Sequence, residues 1–330
     1  MPTMKEIAVT KRDAAIWRAG VGLGAALVLT AAHAATTAAA VPQIFAPGVI
    51  SGAQDEGAAA FTPDGDTVVF ARGEGQRSTL FVSHRVGGAW SRPRVAPFSG
   101  RWRDLDPAMA PDGSFLLFVS NRPIVVGGAP LDALGTDGKR YVGRGMNLWR
   151  VDRHGDGWGA PVRLPDAINT STMTFAPSVA GDGSVYFDAR DPADGVIRLY
   201  RAQYRDGDYL PPVRVALGEA GAKIRDAAVA PDESFIVFSI VPAGSRAPLR
   251  LAIAFRERGG WSAPIDLGDR VNDAGYAMGS QLGADRRSVY FYSARREAHA
   301  PGAAWNNGSD NLWSVSLAPW LDAHRAAASP

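Results

Sequence analysis

Three acidic side chains are candidates for acid–base chemistry: Glu56, Asp104 and Asp226, which lie far apart in the sequence. Two carboxyl groups held about 5–10 Å apart can protonate a leaving oxygen while activating water or attacking the sugar, as glycoside hydrolases do. If these three residues converge, the sequence predicts a carbohydrate-active enzyme, either a glycoside hydrolase or a polysaccharide lyase.

A larger polar set is better suited to binding than to catalysis. Carboxylates and guanidinium groups recognise polar ligands through charge-assisted hydrogen bonds. The candidate ligand-binding residues are Asp55, Glu56, Arg103, Asp104, Arg225, Asp226, Asn272, Tyr276 and Trp305. For each charged residue the alternative is an internal ion pair, since buried charges are usually paired. Arg122 and Arg295 occupy equivalent positions, four residues after a strand Phe, and this repetition favours structural ion pairs there.

Other catalytic chemistries lack the residues that they need. Only four histidines follow residue 34, and none has a partner at metal-ligand spacing. The chain contains no Gly-x-Ser-x-Gly motif for a serine nucleophile. We therefore expect neither a metal nor a cofactor.

A repeated turn organises the chain that must position these residues. Pro-Asp-Gly leads into an apolar strand in FTPDGDTVVF (61–70) and MAPDGSFLLF (109–118), with weaker copies in VAGDGSVYF (179–187), VAPDESFIVF (229–238) and LGADRRSVYF (282–291). Asp and Gly tolerate the backbone angles of tight hairpin turns. The turn aspartates are 48, 70, 50 and 53 residues apart, which indicates units of about fifty residues.

A second signature recurs between the turns, with a Leu, an aromatic residue ten positions later and a Pro three positions after that. It occurs at Leu80/Trp90/Pro93, Leu148/Trp158/Pro161, Leu199/Tyr209/Pro212 and Leu251/Trp261/Pro264. Pro is tolerated on an edge strand, where it discourages pairing with other chains. Each unit is therefore predicted to be a four-stranded antiparallel meander with the Pro-containing strand outermost.

These meanders predict an all-β protein consisting of a single β-propeller with five blades. Six blades remain an alternative, because the 70-residue spacing could contain a degenerate unit. The fifth unit ends after its third strand, at 312–317, and Pro42-Gln43-Ile44-Phe45 matches the missing outer strand. We expect the N-terminal strand to close the ring. In this topology the connections that carry the candidate residues, together with the long loops 121–146 and 295–310, share one face.

The first 34 residues are typical of a cleavable signal peptide. A basic segment ending at Arg18 precedes an apolar run, and Ala32-His33-Ala34 matches a cleavage site. This segment accounts for the formal net charge of +2, so the remainder is neutral and nucleic-acid binding is not expected. The chain has no cysteine and so no disulfide. We expect a leader at 1–34, a propeller at 35–320 and a flexible tail at 321–330.

The blade sequences resemble those of a known family. FVSNRP (118–123), NLWRVDRHGDGWGAPVRL (147–164), INTSTMTFAPS (168–178) and DGSVYF (182–187) are similar to the TolB-like, WD-repeat-like propellers of the bacterial periplasm. The resemblance covers residues 42–317 and implies the propeller fold and a periplasmic or secreted location. It leaves the function open, because related blades occur in both binding proteins and enzymes.

The sequence favours a binding protein over an enzyme. We expect an exported, monomeric propeller that binds a cell-envelope protein or glycan at the channel-mouth face, with no stable membrane insertion after leader cleavage. The carbohydrate-active enzyme remains the alternative.

Overall fold

The computed structural model describes residues 40–74, 77–135, 137–273, 275–297 and 302–328. The predicted leader lies outside these ranges. Strands dominate the described residues, and none of the helices there is long and apolar enough to cross a membrane.

The strands form five antiparallel blades, as predicted from the repeats. The first strand, β1 (Gln43–Ile44), belongs to the last blade. Blade 1 contains β2 (Asp55–Phe61), β3 (Thr67–Glu74), β4 (Arg77–Val86), β5 (Ala89–Trp90) and β6 (Arg94–Val95). Blade 2 contains β7 (Asp104–Met109), β8 (Phe115–Ser120), the inserted hairpin β9 (Ala133–Leu134) and β10 (Arg140–Tyr141), then β11 (Asn147–His154), β12 (Gly157–Trp158) and β13 (Val162–Arg163).

The remaining three blades repeat this arrangement. Blade 3 contains β14 (Thr174–Val179), β15 (Val185–Arg190), β16 (Ile197–Ala202), β17 (Tyr204–Arg205), β18 (Asp208–Tyr209) and β19 (Val213–Arg214). Blade 4 contains β20 (Lys223–Val229), β21 (Phe235–Val241), β22 (Arg250–Glu257), β23 (Gly260–Trp261) and β24 (Ile265–Asp266). Blade 5 contains β25 (Met278–Leu282), β26 (Ser288–Ser293), β27 (Asn311–Ser316) and β1. Two α-helices, α1 (Asp269–Asn272) and α2 (Ala318–Ala328), and a 3-10 helix (Ala304–Asn306) complete the described elements.

The repeated turns join the innermost strand of each blade to the second strand. In every one, the Asp side chain accepts a hydrogen bond of 2.8–3.0 Å from the backbone N–H two residues later. The residue after each Asp has a positive φ; these residues are Gly65, Gly113, Gly183, Glu233 and Arg286. The turn aspartates are therefore structural. The short outermost strands β6, β13, β19 and β24 each begin one residue after a repeat proline, as the pattern predicted.

The innermost strands surround the central channel. β2, β7, β14, β20 and β25 neighbour one another in that order, and β25 packs against β2. Each of these strands has a bulge near its beginning. In four blades the first bulge residue has a positive φ; these residues are Asp106, Ala176, Asp226 and Gly279. A bulge bends the strand and turns its unpaired backbone groups away from the ladder.

The last blade takes its outer strand from the beginning of the chain. In the pairing of β1 with β27, Gln43 is opposite Ser314 and Ile44 is opposite Trp313. The Phe45 backbone N–H donates to the Leu312 carbonyl at 2.8 Å. The Phe45 ring packs edge-on against Phe61, Trp90 and Tyr290 at centroid distances of 5.0–5.6 Å. β1 therefore pairs with β27 as the outer strand of blade 5; closure of the ring by this strand stays a prediction.

The chain from residue 321 to 328 is helical, whereas the sequence analysis predicted a flexible tail there. Its alanine-rich sequence favours a helix. The helix also has tertiary contacts, because Trp320 and Leu321 pack against the core between blades 4 and 5. His324 stacks on Phe255 with the ring centroids 3.8 Å apart.

We predict that β1 holds the ring closed. Deleting residues 42–50 removes the outer strand of blade 5 together with the Phe45 ring and the buried Ile50. Removal of the buried Ile50 side chain alone costs about 2–5 kcal/mol, and the exposed β27 edge promotes aggregation. Chemical denaturation and light scattering should detect both effects. A chain that begins at Ala40 retains β1 and serves as the control; equal stability of the two chains would contradict closure by β1.

Candidate functional site

A polar pocket of about 240 Å³ opens at the end of the channel where the innermost strands begin. We call it the mouth pocket. Its lining residues come from blades 1, 2 and 5: Asp55, Glu56, Gly57, Ala71, Gly73, Arg77, Ser78, Arg103, Leu105, Asp106, Arg144, Tyr292 and Asp310. Arg144 lies near the end of the loop 121–146, and Asp310 is the last residue of the loop 295–310. Both long loops therefore contribute charged side chains to this pocket.

The candidate ligand-binding residues separate into two groups. Asp55, Glu56 and Arg103 line the mouth pocket. Tyr276 lies beside it, because its hydroxyl donates a short hydrogen bond to Asp310. The other candidates are not among the lining residues, and several of them have identifiable structural contacts.

Glu56 and Asp104 are buried in ion pairs within their own blades. Arg72 Nε lies 3.0 Å from a Glu56 carboxylate oxygen, and Arg122 Nη1 lies 2.8 Å from Asp104 Oδ1. Asp104 also accepts hydrogen bonds from the Ser99 and Ser120 hydroxyls. Burial nevertheless raises the pKa of Glu56 to about 7, because desolvation outweighs its partners. These contacts leave Asp104 no free oxygen to offer a ligand.

Arg295 and Asn272 also have structural contacts. Arg295 pairs with Asp273, so both arginines at the equivalent positions, Arg122 and Arg295, form ion pairs as predicted. The Asn272 side-chain amide hydrogen-bonds to both the N–H and the carbonyl of Leu251. Asn169 bridges Leu148 in the same way two blades earlier. Asn272 thus fixes the connection between two blades. Trp305 is half-buried in the 3-10 helix and lies outside the mouth pocket.

The last two candidates, Asp226 and Arg225, belong to a group inside the channel. Asp226 Oδ2 accepts the Gly279 N–H at 3.1 Å, and the Asp226 N–H itself donates to Asp188 Oδ2 at 3.0 Å. Asp106 Oδ2 accepts the Ala176 N–H at 3.3 Å. Each carboxylate therefore binds the bulge N–H of the next blade. Arg225 donates to the Ile197 and Ile224 carbonyls nearby.

Burial in the channel makes the charged form of these carboxyl groups unfavourable. Desolvation, with a contribution from the Asp226 charge, raises the pKa of Asp106 to about 7. Desolvation and neighbouring carboxylates likewise raise the pKa of Asp188, and desolvation raises that of Asp226. Among these three groups, only Asp106 also lines the mouth pocket. Asp106 can therefore exchange a proton with a ligand near neutral pH.

The sequence analysis did not select Asp188, Asp106, Arg144 and Asp310 as site residues. Asp188 could have been noticed because it interrupts the buried apolar strand VYFDAR. Asp106 sits two residues from Asp104, and residues two apart normally share one face of a strand; the bulge at the left-handed Asp106 separates the channel-facing carboxylate from the paired one. Arg144 and Asp310 lie within the two loops that the sequence did single out.

The opposite end of the channel is narrow. A cavity of about 70 Å³ is lined there by residues of all five blades, including Phe61, Met109, Val179, Val229 and Leu282. Pro63, Pro111 and Pro231 of the repeated turns also contribute. A polar ligand of appreciable size therefore has better access from the mouth pocket.

The tip of the loop 121–146 is apolar. Ile124, Val125 and Val126 are exposed, and Val126 is fully so. The base of the loop is polar: Asn121 Nδ2 donates to the Gly143 carbonyl, and Asp132 Oδ1 accepts the Gly143 N–H. These bonds fix the segment that precedes Arg144. Across the described ranges, no group of three or more His, Cys, Asp or Glu residues is arranged to hold a metal ion.

The fold is similar to that of several solved propellers. TolB from Acinetobacter baumannii is 16% identical, with a TM-score of 0.46 over 80% of this chain and 56% of that chain. A putative TolB from Agrobacterium tumefaciens is 14% identical, with a TM-score of 0.45 over 75% of this chain and 72% of that chain. Alpha-L-arabinofuranosidase from Lactobacillus brevis is 11% identical, with a TM-score of 0.48 over 81% of this chain and 92% of that chain.

These likenesses extend to the fold alone. The chain spans little more than half the length of the first of these TolB proteins. No protein-family model and no curated protein sequence matches the chain. The function therefore has to be argued from the site itself.

We predict that Asp106 makes the protein less stable as the pH rises from about 4 to about 7. In this window the folded protein retains a proton that the unfolded chain has released, because burial raises the pKa in the folded state. One such group lowers the free energy of unfolding by up to about 1.4 kcal/mol per pH unit. Asp106→Asn should flatten the dependence by up to that amount, as measured by urea denaturation at several pH values.

Asp64→Asn is the matched control for this measurement. Asp64 is a turn carboxylate whose pKa is lowered by hydrogen bonds from Thr62 and Asp66, so it does not titrate between pH 4 and 7. The control should retain the slope of the unmodified protein. An unchanged slope in Asp106→Asn would mean that Asp106 is ionised in the folded protein throughout this range.

Proposed function

We propose that this protein is an exported propeller that binds a polar component of the cell envelope at the mouth pocket. The observation that carries the proposal is the composition of that pocket. Charged side chains from three blades and both long loops line one concave surface. Binding residues commonly lie on loops that a rigid scaffold holds in place.

The unequal burial of the charges supports a binding role. Glu56, Asp104, Arg72 and Arg122 are ion-paired within their blades, and pairing of this kind stabilises the ring. Arg103, Arg144, Asp55 and Asp310 line the pocket without an ion pair within the described ranges. A protein that needed these residues only for its fold would gain from pairing them. We infer that Arg103 and Arg144 are held for a ligand, with Asp55 and Asp310 offering the oxygens that their hydrogen bonds to the Tyr276 hydroxyl and the Asp310 N–H leave free.

The location and the class of partner extend this proposal. The signal-peptide pattern in residues 1–34 supports export to the periplasm or beyond, where envelope glycans and proteins are accessible. The neutral body of the chain does not favour nucleic acid as the partner.

A carbohydrate-active enzyme is the second candidate, and Asp106 is the observation that favours it. A carboxyl group with a pKa of about 7 at the inner end of a polar pocket can act as a general acid. The enzyme would use Asp106 rather than Glu56 or Asp104, whose oxygens are held by arginines. Asp55 and Asp310 are the further carboxylates in the pocket.

We predict that filling the mouth pocket abolishes ligand capture without unfolding the protein. Ser78 lines the pocket opposite Gly73 on the neighbouring strand, so Ser78→Trp places an indole ring into the opening. Immobilised protein should capture a component of envelope extract, and Ser78→Trp should lose it while its melting temperature stays within a few degrees. Val162→Trp adds the same ring on the exposed outer strand of blade 2 and should capture normally.

The same preparation decides between the two candidate functions. Captured glycan that is recovered intact after incubation supports binding. Release of new reducing or unsaturated ends that disappears in Asp106→Asn would support the enzyme. Capture that is equal in Ser78→Trp and the unmodified protein would place the ligand elsewhere.

A further inference from the structure

Two of the arginines that line the mouth pocket, Arg103 and Arg144, form no ion pair within the described residues. Arg103 and Arg144 both line the pocket and are half-buried. Within the described ranges, neither guanidinium group takes part in an ion pair or a side-chain hydrogen bond. Arg72, Arg122 and Arg295, by contrast, each pair with a carboxylate.

The two guanidinium groups lie close enough to affect each other. Desolvation lowers the pKa of Arg103, and the positive charge of Arg144 lowers it further. Asp106 opposes this effect, but its own pKa of about 7 means that it is only partly ionised at neutral pH. Two half-buried cations without a full counter-charge form a site where an anion is favoured.

Acceptors for hydroxyl groups lie on the side of the pocket formed by blades 1 and 5. The Asp310 carboxylate accepts the Tyr276 hydroxyl, and the Asp310 backbone N–H donates to Asp55 Oδ1 at 3.2 Å. Both carboxylates line the pocket, and each can accept more hydrogen bonds than these. Tyr292 adds an aromatic ring to the lining. The pocket therefore presents arginine side chains from blade 2 and, from blades 1 and 5, carboxylates that can accept hydrogen bonds from hydroxyl groups.

We propose that the ligand of this pocket is a sugar acid, free or within a glycan, whose carboxylate is bound by Arg103 and Arg144. This inference rests on the proposed function and specifies its ligand. The sugar hydroxyl groups donate to Asp55 and Asp310. The cavity of about 240 Å³ accommodates one sugar-sized unit rather than a folded partner surface. An acidic peptide would satisfy the arginines but would leave these carboxylates without ring hydroxyl groups.

The test compares charged and uncharged forms of the same sugars. Calorimetric titration uses oligosaccharides that contain glucuronate, mannuronate or muramate, each with its methyl ester. At least one acid should bind, and its ester should bind about tenfold more weakly, or worse, because the ester cannot make charge-assisted hydrogen bonds. Arg103→Gln and Arg144→Gln should each weaken binding of the acid by about tenfold and leave binding of the ester unchanged.

Arg101→Gln is the matched control. Arg101 lies two residues from Arg103 but packs over Trp102 and does not line the pocket, so its loss should change affinity less than about twofold. Because Arg103 and Arg144 form no structural ion pair in the described chain, both variants should melt like the unmodified protein. A variant that unfolds is replaced by Arg→Lys, which keeps the charge but loses the planar pair of donors.

The outcomes separate this inference from the proposed function. Equal binding of acid and ester, lost in Ser78→Trp, would overturn the sugar acid and retain the pocket. If no sugar acid binds, yet Ser78→Trp still abolishes capture from extract, the sugar acid is likewise overturned and the pocket is retained. An aspartate-rich peptide that binds more tightly than any sugar, in an Arg103-dependent manner, would replace the glycan with a protein partner. Loss of the ester preference that also occurs in Arg101→Gln would mean that only general surface charge is involved.

Discussion

The bulge in each innermost strand is the constraint on which the channel and the site depend. Five strands can surround a narrow channel only if they bend where they approach one another, and a bulge provides the bend. At Asp106, Ala176, Asp226 and Gly279 the bulge residue is left-handed. At Gly279 a Cβ would lie 2.5 Å from the Tyr292 ring, so glycine is required there for space as well as for φ. The bulge also leaves backbone N–H groups without ladder partners, and the channel carboxylates accept them at three of the five junctions between blades.

The carboxylates that accept the bulge N–H groups also set the electrostatics of the site. A buried N–H must find an acceptor, and the acceptors here are aspartates that lose their hydration when they enter the channel. Their pKa values rise because desolvation outweighs one or two hydrogen bonds each. Asp106 is the member of this group that reaches the mouth pocket. A residue placed for the fold is thereby also available to a ligand.

The fold could be predicted from the sequence repeats, whereas the site residues could be predicted only in part. The turn aspartates and the Leu, aromatic and Pro spacing depend on local backbone geometry, so five blades and their outer strands could be inferred from the sequence alone. Whether a charged residue is ion-paired depends on which residues lie near it in the folded protein. Arg72 follows Phe70 by two residues and pairs with Glu56, whereas Arg122 follows Phe118 by four and pairs with Asp104. The repeat position of Arg122 predicted its pair, but no spacing rule distinguishes the buried Arg72 pair from Arg103 and Arg144. The helix at Ala318–Ala328 was missed because its stability depends on packing of Trp320 and Leu321 against blades 4 and 5.

The two ends of the channel show why ligand contacts are concentrated at one of them. The repeated turns must be short to keep adjacent blades close, and Gly181 donates its N–H to the Pro231 carbonyl of the next blade at 2.7 Å. A Cβ on Gly181 would lie 2.8 Å from the same oxygen, so this end has no room for larger side chains. The other end carries the connections between blades, where insertions lengthen loops without disturbing strand pairing. Charges can be added there at little cost to the ring, as Arg144 and Asp310 demonstrate at the ends of the two longest loops. Variation in ligand specificity is therefore most easily accommodated at the mouth pocket.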